Sequence, residues 1–235
     1  MKIKDRVSNI EATDSAWKPL FKVGGVAALL MALIIPIESF IFIAYPPPST
    51  VLEFFTLFQR NWFVGLLDRD FLLIINNVLL ILIYLALYAA LKQANKSLMT
   101  IGLVFSLIGI AAYFPSNTAF EMLSLSRQYA AATAEAQRTI LLAAGQSMLA
   151  IYSGTAFDVY YVLNAIALLI FSVVMLQSNV FSKANAYLGI AAGVLMIIPS
   201  TAGTIGIYFS LLSLVPWFIW LILFARRLFQ LSWAI

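Results

Sequence analysis

The chain has 235 residues, of which 63% are hydrophobic and only 10% are charged, and its mean hydropathy is +0.98. Soluble domains carry about 45–50% apolar and about 25% charged residues, so this composition indicates an integral membrane protein. The absence of cysteine and histidine excludes disulfides, thiolate or imidazole metal sites, histidine-ligated haem and a histidine general base. The formal net charge of +4 is too small and too scattered to indicate nucleic-acid binding.

The first predicted element is a helix over residues 21–45. It is too long for the apolar core of a signal peptide, and it ends in Pro46-Pro47-Pro48 instead of a small-residue cleavage site. We therefore expect residues 1–20 to form a cytoplasmic N-terminal segment and residues 21–235 to form one membrane domain. Since a span needs about 20 mostly apolar residues, the sequence predicts an all-α, polytopic membrane bundle of six transmembrane helices, over 21–45, 71–92, 98–115, 157–178, 185–206 and 208–228.

Basic residues predict the orientation of these spans. A cytoplasmic N-terminus leaves only Arg60, Arg69, Arg127 and Arg138 on the outer side. This distribution follows the positive-inside rule and predicts that both termini are cytoplasmic. The other ten basic residues then lie on the inner side, and they are Lys2, Lys4, Arg6, Lys18, Lys22, Lys92, Lys96, Lys183, Arg226 and Arg227.

The two long connections, about 50–67 and 117–153, are predicted to be helical and extracytoplasmic. In the first, Thr50 and Glu53 have the spacing of a capping box, in which each side chain accepts from a free backbone N–H group of the other residue. Aromatic residues follow, as in helices that lie in the headgroup zone. The second connection has apolar residues at helical spacing. We expect these helices to cap the outer end of the bundle, either as interfacial filler or as a lid.

A group of polar residues is predicted to lie at one depth within the spans. At 1.5 Å of rise per residue, Glu38 lies roughly 10 Å below Tyr45, and the others are similarly far from the outer ends of their spans. Polar groups are costly in hydrocarbon, so a shared depth indicates a cavity between helices. Pro36, Pro115 and Pro199 are close to this layer, where each frees a backbone carbonyl. The candidate ligand-binding residues are Glu38, Asn76, Asn77, Asn164, Ser200 and Thr201, with Asp158 at the top of the fourth span.

Glu38 is the most informative of these residues. No lysine or arginine lies within a predicted span to pair with it, so it is protonated, hydrogen bonded to asparagine or serine, or neutralised by a bound cation. Two carboxylates and several amides suit a cation, an amine or a proton. The alternative is that these residues only bond one helix to another, contributing on the order of 1 kcal/mol each.

A weak internal repeat is also visible. An interval of 87 residues aligns Asn77 with Asn164 and Gly102 with Gly189. It predicts three helical hairpins of like orientation, although apolar sequences also align by chance.

Several short motifs resemble those of a known family. In chain order they are Trp17 to Gly25, Pro46-Pro47-Pro48, Gly65-Leu66-Leu67-Asp68, Ala119-Phe120-Glu121-Met122-Leu123-Ser124, Gln128-Tyr129-Ala130-Ala131-Ala132-Thr133 and Ala225-Arg226-Arg227-Leu228. Together they resemble a family of small bacterial six-span membrane proteins classed as a domain of unknown function. The resemblance covers nearly the whole chain and implies the topology above and a multi-pass protein of the inner, or plasma, membrane. Its motifs have no assigned chemistry, so it implies no catalytic residue.

The function that these features favour is not enzymatic. We expect an outward-facing polar cavity that binds a small cationic or amphipathic ligand, or a proton, in transport or sensing. One alternative is a structural or accessory subunit of a larger membrane complex. A second is a lipid-modifying enzyme that uses Glu38 or Asp158 as acid or base near the outer leaflet. No cofactor, metal or nucleic-acid partner is predicted, and the expected partners are the lipid bilayer, a small-molecule or cation ligand and a membrane protein.

Overall fold

The computed structural model describes residues 17–233 of the chain. Lys2, Lys4 and Arg6, on which part of the predicted orientation depends, lie outside these residues, as does most of the predicted segment 1–20. The described residues form helices and short connections without a strand, which confirms the predicted all-α class. The helices are α1 Lys18–Ala44, α2 Val51–Arg60, α3 Trp62–Asp68, α4 Phe71–Leu91, α5 Lys96–Ser116, α6 Ala119–Ala131, α7 Glu135–Tyr152, α8 Thr155–Leu176, α9 Lys183–Leu195 and α10 Gly203–Trp233.

Six of the helices form a closed ring, namely α1, α4, α5, α8, α9 and α10. Around it, α5 packs against α8, α8 against α9, α9 against α10, α10 against α1, α1 against α4, and α4 against α5. Small residues permit the close approaches, since a Cβ atom on Gly24 would lie only 2.5 Å from the Cβ of Ala86. The ring encloses an aliphatic and aromatic core, in which Trp220 and Phe224 stack at 4.5 Å between ring centroids.

The two ends of this ring differ in chemistry. One end, which we call the basic end, holds the start of α1 and the α4–α5 turn, with Lys18, Lys22, Lys92 and Lys96. The other, which we call the connecting-helix end, holds α2, α3, α6 and α7, which pack together through their own apolar cluster around Phe55. Each of the predicted outer helices, 50–67 and 117–153, is therefore two helices in the structure.

The start of α2 has the predicted capping box. The Thr50 hydroxyl accepts from the backbone N–H of Glu53 at 3.3 Å, and the Glu53 carboxylate accepts from the backbone N–H groups of Ser49 at 2.8 Å and Thr50 at 3.1 Å. This confirms the prediction. The hydrogen bonds from Ser49 and Thr50 also hold the pKa of the exposed Glu53 below its ordinary value, because they favour the charged form.

Five stretches of the described chain are long and apolar enough to cross a membrane, namely Lys18–Ala44, Phe71–Leu91, Lys96–Ala131, Glu135–Leu176 and Gly203–Trp233. They indicate a multi-pass membrane protein. The predicted fifth span, 185–206, is not one of them, because α9 has 13 residues and is about 20 Å long against about 30 Å of hydrocarbon. The prediction of six spans is therefore not confirmed, and the last helix begins at Gly203 instead of at residue 208.

Residues 196–202, which we call the break segment, account for this departure. Pro199 has no backbone N–H to donate to the last turn of α9, so the helix ends before it. The chain turns, with the N–H of Ala202 donating to the Pro199 carbonyl at 3.0 Å, and Gly203 then adopts a φ of +69°. The turn lies directly against α10, since a Cβ atom on Gly206 would overlap the Pro199 carbonyl oxygen.

Replacing Gly189 by alanine is expected to lower the free energy of unfolding by about 1–3 kcal/mol through overpacking. Its Cβ atom would overlap the buried Ser172 hydroxyl and lie 3.1 Å from Nε1 of Trp220. The Ser172 hydroxyl has no hydrogen-bond partner within residues 17–233, so Ser172→Ala should cost little by itself and should recover part of the loss. A double-mutant cycle, measured by unfolding in detergent, compares the loss of stability from Gly189→Ala with and without Ser172→Ala. If Ser172→Ala leaves that loss unchanged, the two residues do not pack as described.

Candidate functional site

A cavity of about 270 Å³ lies inside the ring, between α1, α4, α8, α10 and the break segment. This volume is large enough for several water molecules. Its wall combines two carboxylates, three asparagines, three serines and several aromatic rings. The polar and aromatic residues that line it are Glu38, Asp70, Asn76, Asn77, Tyr84, Phe157, Tyr160, Tyr161, Asn164, Ser200, Ser210, Ser213 and Trp217.

Glu38 of α1 and Asn76 of α4 meet in the wall of this cavity. Asn76 donates from Nδ2 to both carboxylate oxygens of Glu38, at 3.1 and 3.0 Å. Glu38 is half-buried, whereas Asn76 is only 4% exposed. The carboxylate therefore faces an amide of a neighbouring helix and lines the cavity.

The three asparagines share an unusual feature, a buried side-chain oxygen without a partner. Nδ2 of Asn77 donates to the carbonyl of Leu73, and Nδ2 of Asn164 donates to the carbonyl of Tyr160, both at 2.9 Å. The Oδ1 atoms of these two residues and of Asn76 accept no hydrogen bond from the described residues. Leaving a buried acceptor unsatisfied costs about 1–3 kcal/mol. All three residues line the cavity, so a donor bound there is a candidate partner for these oxygens.

The cavity is rich in acceptors, and its described lining offers no cationic donor. None of its described lining residues is lysine or arginine, and the chain has no histidine. The hydroxyls of Ser210 and Ser213 donate to the backbone carbonyls of Ile207 at 2.9 Å and Ser210 at 2.7 Å. The cavity therefore complements a ligand with positive charge and hydrogen-bond donors. Residues 17–233 contain no cluster of three or more acidic residues that could hold a metal ion.

Asp70, which directly precedes α4, adds a second carboxylate to the cavity. Within the described chain it is the one residue other than glycine with a positive φ, at 57°, a conformation that aspartate tolerates better than most residues. The hydroxyl of Tyr152 on α7 donates to its carboxylate. Burial raises the pKa of Asp70 to about 7, although the positive charge of Arg69 opposes this rise and the negative charge of Asp68 adds to it. At neutral pH the charged and protonated forms are therefore both populated.

Hydrogen bonds join Asp70 to the connecting-helix end. Its backbone carbonyl accepts from Nδ2 of Asn117 at 3.2 Å. The adjacent Arg69 is only 3% exposed, and its guanidinium donates to the Thr118 hydroxyl at 2.9 Å. The guanidinium carbon lies 3.9 Å from the ring centroid of Tyr152, the residue that bonds the Asp70 carboxylate. The connecting helices thus position one wall of the cavity.

Five of the seven predicted site residues line the cavity, namely Glu38, Asn76, Asn77, Asn164 and Ser200. The other two, Asp158 and Thr201, lie outside it and bond to each other, with the threonine hydroxyl donating to the carboxylate. The physical reason is the helical face, because residues 157, 160, 161, 164 and 168 of α8 line the cavity and position 158 is turned away from that stripe.

Sequence reasoning missed several lining residues, and for some of them a signal existed. Asp70 and Tyr84 lie seven residues before and seven after Asn77, so they share its helical face. For Ser210 and Ser213 no comparable signal exists, because serine in an apolar helix often bonds its own backbone and says little about its surroundings.

Comparison with known proteins identifies a family but no characterised relative. The family model described as "Domain of unknown function (DUF4386)" matches residues 70–235. No curated protein and no solved structure matches the chain. The matched range begins at Asp70 and contains the three asparagines and the break segment, but not Glu38.

Proposed function

The chain belongs to the family described as "Domain of unknown function (DUF4386)", which supplies no function, so we propose one from the residues that line the cavity. In this proposal the membrane protein binds a small organic cation with N–H donors, such as an alkylammonium ion. The observation that carries the proposal is a cavity lined by two carboxylates and by three asparagines whose buried oxygens accept no hydrogen bond from residues 17–233. Binding would serve transport or sensing.

The donor count of an ammonium group matches this arrangement. A primary ammonium has three N–H donors and no acceptor, so it supplies donors to carboxylate and amide oxygens without adding an acceptor that needs a partner. Hydrogen bonds between charged groups are roughly twice as strong as neutral ones. A neutral ligand would form only the weaker, uncharged type of hydrogen bond, and an anionic ligand would face the carboxylates of Glu38 and Asp70.

The rest of the wall suits the carbon skeleton of such a ligand. Tyr160, Tyr161 and Trp217 present aromatic rings to the cavity, and a cation near an aromatic face gains about 0.5–2 kcal/mol. Leu80 and Leu168 add aliphatic surface. A polar head and a short apolar tail can therefore both be accommodated.

We also propose a membrane arrangement for this cavity. In it, α9 and the break segment cross the membrane together as a sixth span, since non-helical backbone is tolerated at membrane depth where it lines a cavity. The connecting helices lie outside and the basic end faces the cytoplasm of a bacterial inner membrane. Broken helices beside a central site are common in transporters, and movement of the break segment would couple binding to transport or sensing.

Thermal unfolding of the purified protein in detergent tests the ligand class. Butylammonium, butanol and butyrate have the same chain and differ in charge and donors. We expect butylammonium alone to stabilise the protein, by about 2.7 kcal/mol at one hundred times its dissociation constant. Equal stabilisation by butanol would show that positive charge does not select the ligand. That result, or no stabilisation by butylammonium, would contradict the proposal.

A second candidate function is that of an accessory subunit in a membrane complex. The observation that favours it is the exposure of Trp62, Phe63 and Phe120, which are 53%, 51% and 55% exposed at the connecting-helix end. Exposed aromatics of this kind suit a protein interface or the headgroup zone. A stoichiometric partner that co-purifies in mild detergent, and is lost from a Trp62→Ala, Phe63→Ala variant, would support this candidate.

A further inference from the structure

A groove of about 300 Å³ lies on the outside of the ring, between α1 and α4 near the basic end. Five residues of α1, from Lys22 to Leu30, and two leucines of α4 line it. Val26 and Leu30 are 44% and 46% exposed, so the groove faces the surroundings of the bundle. Lys22 is the one charged residue among the described residues that line it.

Other cations and tryptophans surround the charged end of this groove. The Nζ of Lys92 lies 4.1 Å from the ring centroid of Trp17, and that of Lys22 lies 5.9 Å from the ring of Trp233. Lys18 precedes Lys22 by one helical turn. Tryptophan and lysine concentrate at the membrane–water interface. The residues at the charged end of the groove are therefore typical of headgroup depth, and those of its apolar part are typical of the hydrocarbon zone.

We propose that this groove binds one anionic phospholipid, with the phosphate against Lys22 and an acyl chain along Val26 and Leu30. From Lys22 to Leu30 the helix rises about 12 Å, close to the hydrocarbon depth of one leaflet, about 15 Å. The lysines supply the charge that a phosphodiester complements, and the exposed aliphatic stripe supplies the surface that an acyl chain covers.

Charge also argues against a second copy of the chain in the same groove. A symmetric dimer places the same surface of both copies in contact. The Lys22 side chains would then approach each other, and like charges disfavour such a contact. An anionic lipid brings the opposite charge.

Native mass spectrometry of the full-length protein tests this proposal. After addition of an equimolar mixture of dioleoyl phosphatidylglycerol and dioleoyl phosphatidylcholine, we expect one phosphatidylglycerol to be retained in preference. Lys22→Gln should reduce its retention about fivefold, the effect of one lysine at a membrane surface. The matched control is Lys96→Gln, which changes an exposed lysine at the same end but outside the groove, and it should retain the lipid as the unchanged protein does.

A second pair of variants tests the apolar part. Val26→Trp should fill the groove and reduce retention, whereas Leu29→Trp, also exposed on α1 but outside the groove, should not. Three results would each overturn the proposal. They are equal retention of the two lipids, equal losses of lipid retention in both variants of a pair, and retention of inorganic phosphate without lipid. A dimer that Val26→Trp dissociates would also overturn it, in favour of a second copy.

Discussion

Replacing Glu38 by glutamine is expected to weaken butylammonium binding by about tenfold to a hundredfold, since a hydrogen bond to a charged group contributes about 1.5–3 kcal/mol. The substitution keeps the shape of the side chain and removes the carboxylate that faces Asn76. Equilibrium titration of butylammonium in detergent, followed by the shift in unfolding temperature, gives the two dissociation constants.

The folded state should survive this change. A glutamine at position 38 can donate from Nε2 to Oδ1 of Asn76, which has no partner in the described structure, so we expect no loss of stability. Glu121→Gln is the matched control, because Glu121 is exposed on α6 and does not line the cavity. If Glu38→Gln folds and binds butylammonium as the unchanged protein does, the carboxylate has no part in binding.

Replacing Arg69 by methionine is expected to lower the free energy of unfolding by about 1.5–3 kcal/mol, because a hydrogen bond from a buried charged group is lost. The guanidinium donates to Thr118 and lies 3.9 Å and 4.9 Å from the ring centroids of Tyr152 and Phe54. Methionine has a similar length but no donor and no charge. It would also remove the positive charge beside Asp70 that opposes the rise of its pKa.

Unfolding in detergent measures this effect, and limited proteolysis shows whether the connecting helices loosen first. Arg60→Met is the matched control, since Arg60 is exposed at the end of α2 and surface charges contribute about 0–1 kcal/mol. Arg69→Lys should recover only part of the loss, because an ammonium cannot reproduce the planar fork of a guanidinium. Equal losses for Arg69→Met and Arg60→Met would contradict the network.

The height of a polar residue along the bundle could be predicted from the sequence, because hydropathy places each polar residue relative to the ends of its own apolar segment. Glu38, Asn76 and Asn164 lie around one cavity for this reason. The rotation of a helix about its own axis cannot be predicted from hydropathy alone, because it also depends on the helices that pack against it. Asp158 lies at a suitable height but on another face of α8, where it meets Thr201.

The early end of α9 could not be predicted, because a proline acts differently in different surroundings. Pro36 and Pro115 remain inside the continuous helices α1 and α5, whereas Pro199 lies in the break segment. The apolar residues around Pro199 hide the break from hydropathy. Packing determines where the helix breaks, since Gly206 lets the turn lie against α10 and Gly203 adopts the positive φ that the turn requires.

The proposed 87-residue repeat gains a geometric parallel, although it stays a prediction. Asn77 and Asn164 each donate to the backbone carbonyl four residues earlier, Leu73 and Tyr160 respectively. Each leaves a buried oxygen without a partner among the described residues. Two helices thus present the same acceptor to one cavity, as two copies of one hairpin would.

The central claim, that the cavity is open to water and favours cations, is tested most directly by cysteine labelling, because the chain has no native cysteine. Ser200→Cys places a thiol in the cavity wall, and Ser172→Cys places one at a buried position away from it. Charged clefts raise the local concentration of the opposite charge by about tenfold or more. Each rate is divided by the rate of the same reagent with a free thiol in solution, because a thiolate reacts faster with a cationic reagent even without a protein. On this normalised scale we expect Cys at position 200 to favour a trimethylammonium thiosulfonate over its sulfonate analogue at least about tenfold, and Cys at position 172 to react with neither. An unreactive thiol at position 200, or equal normalised rates with the two reagents, would contradict the account.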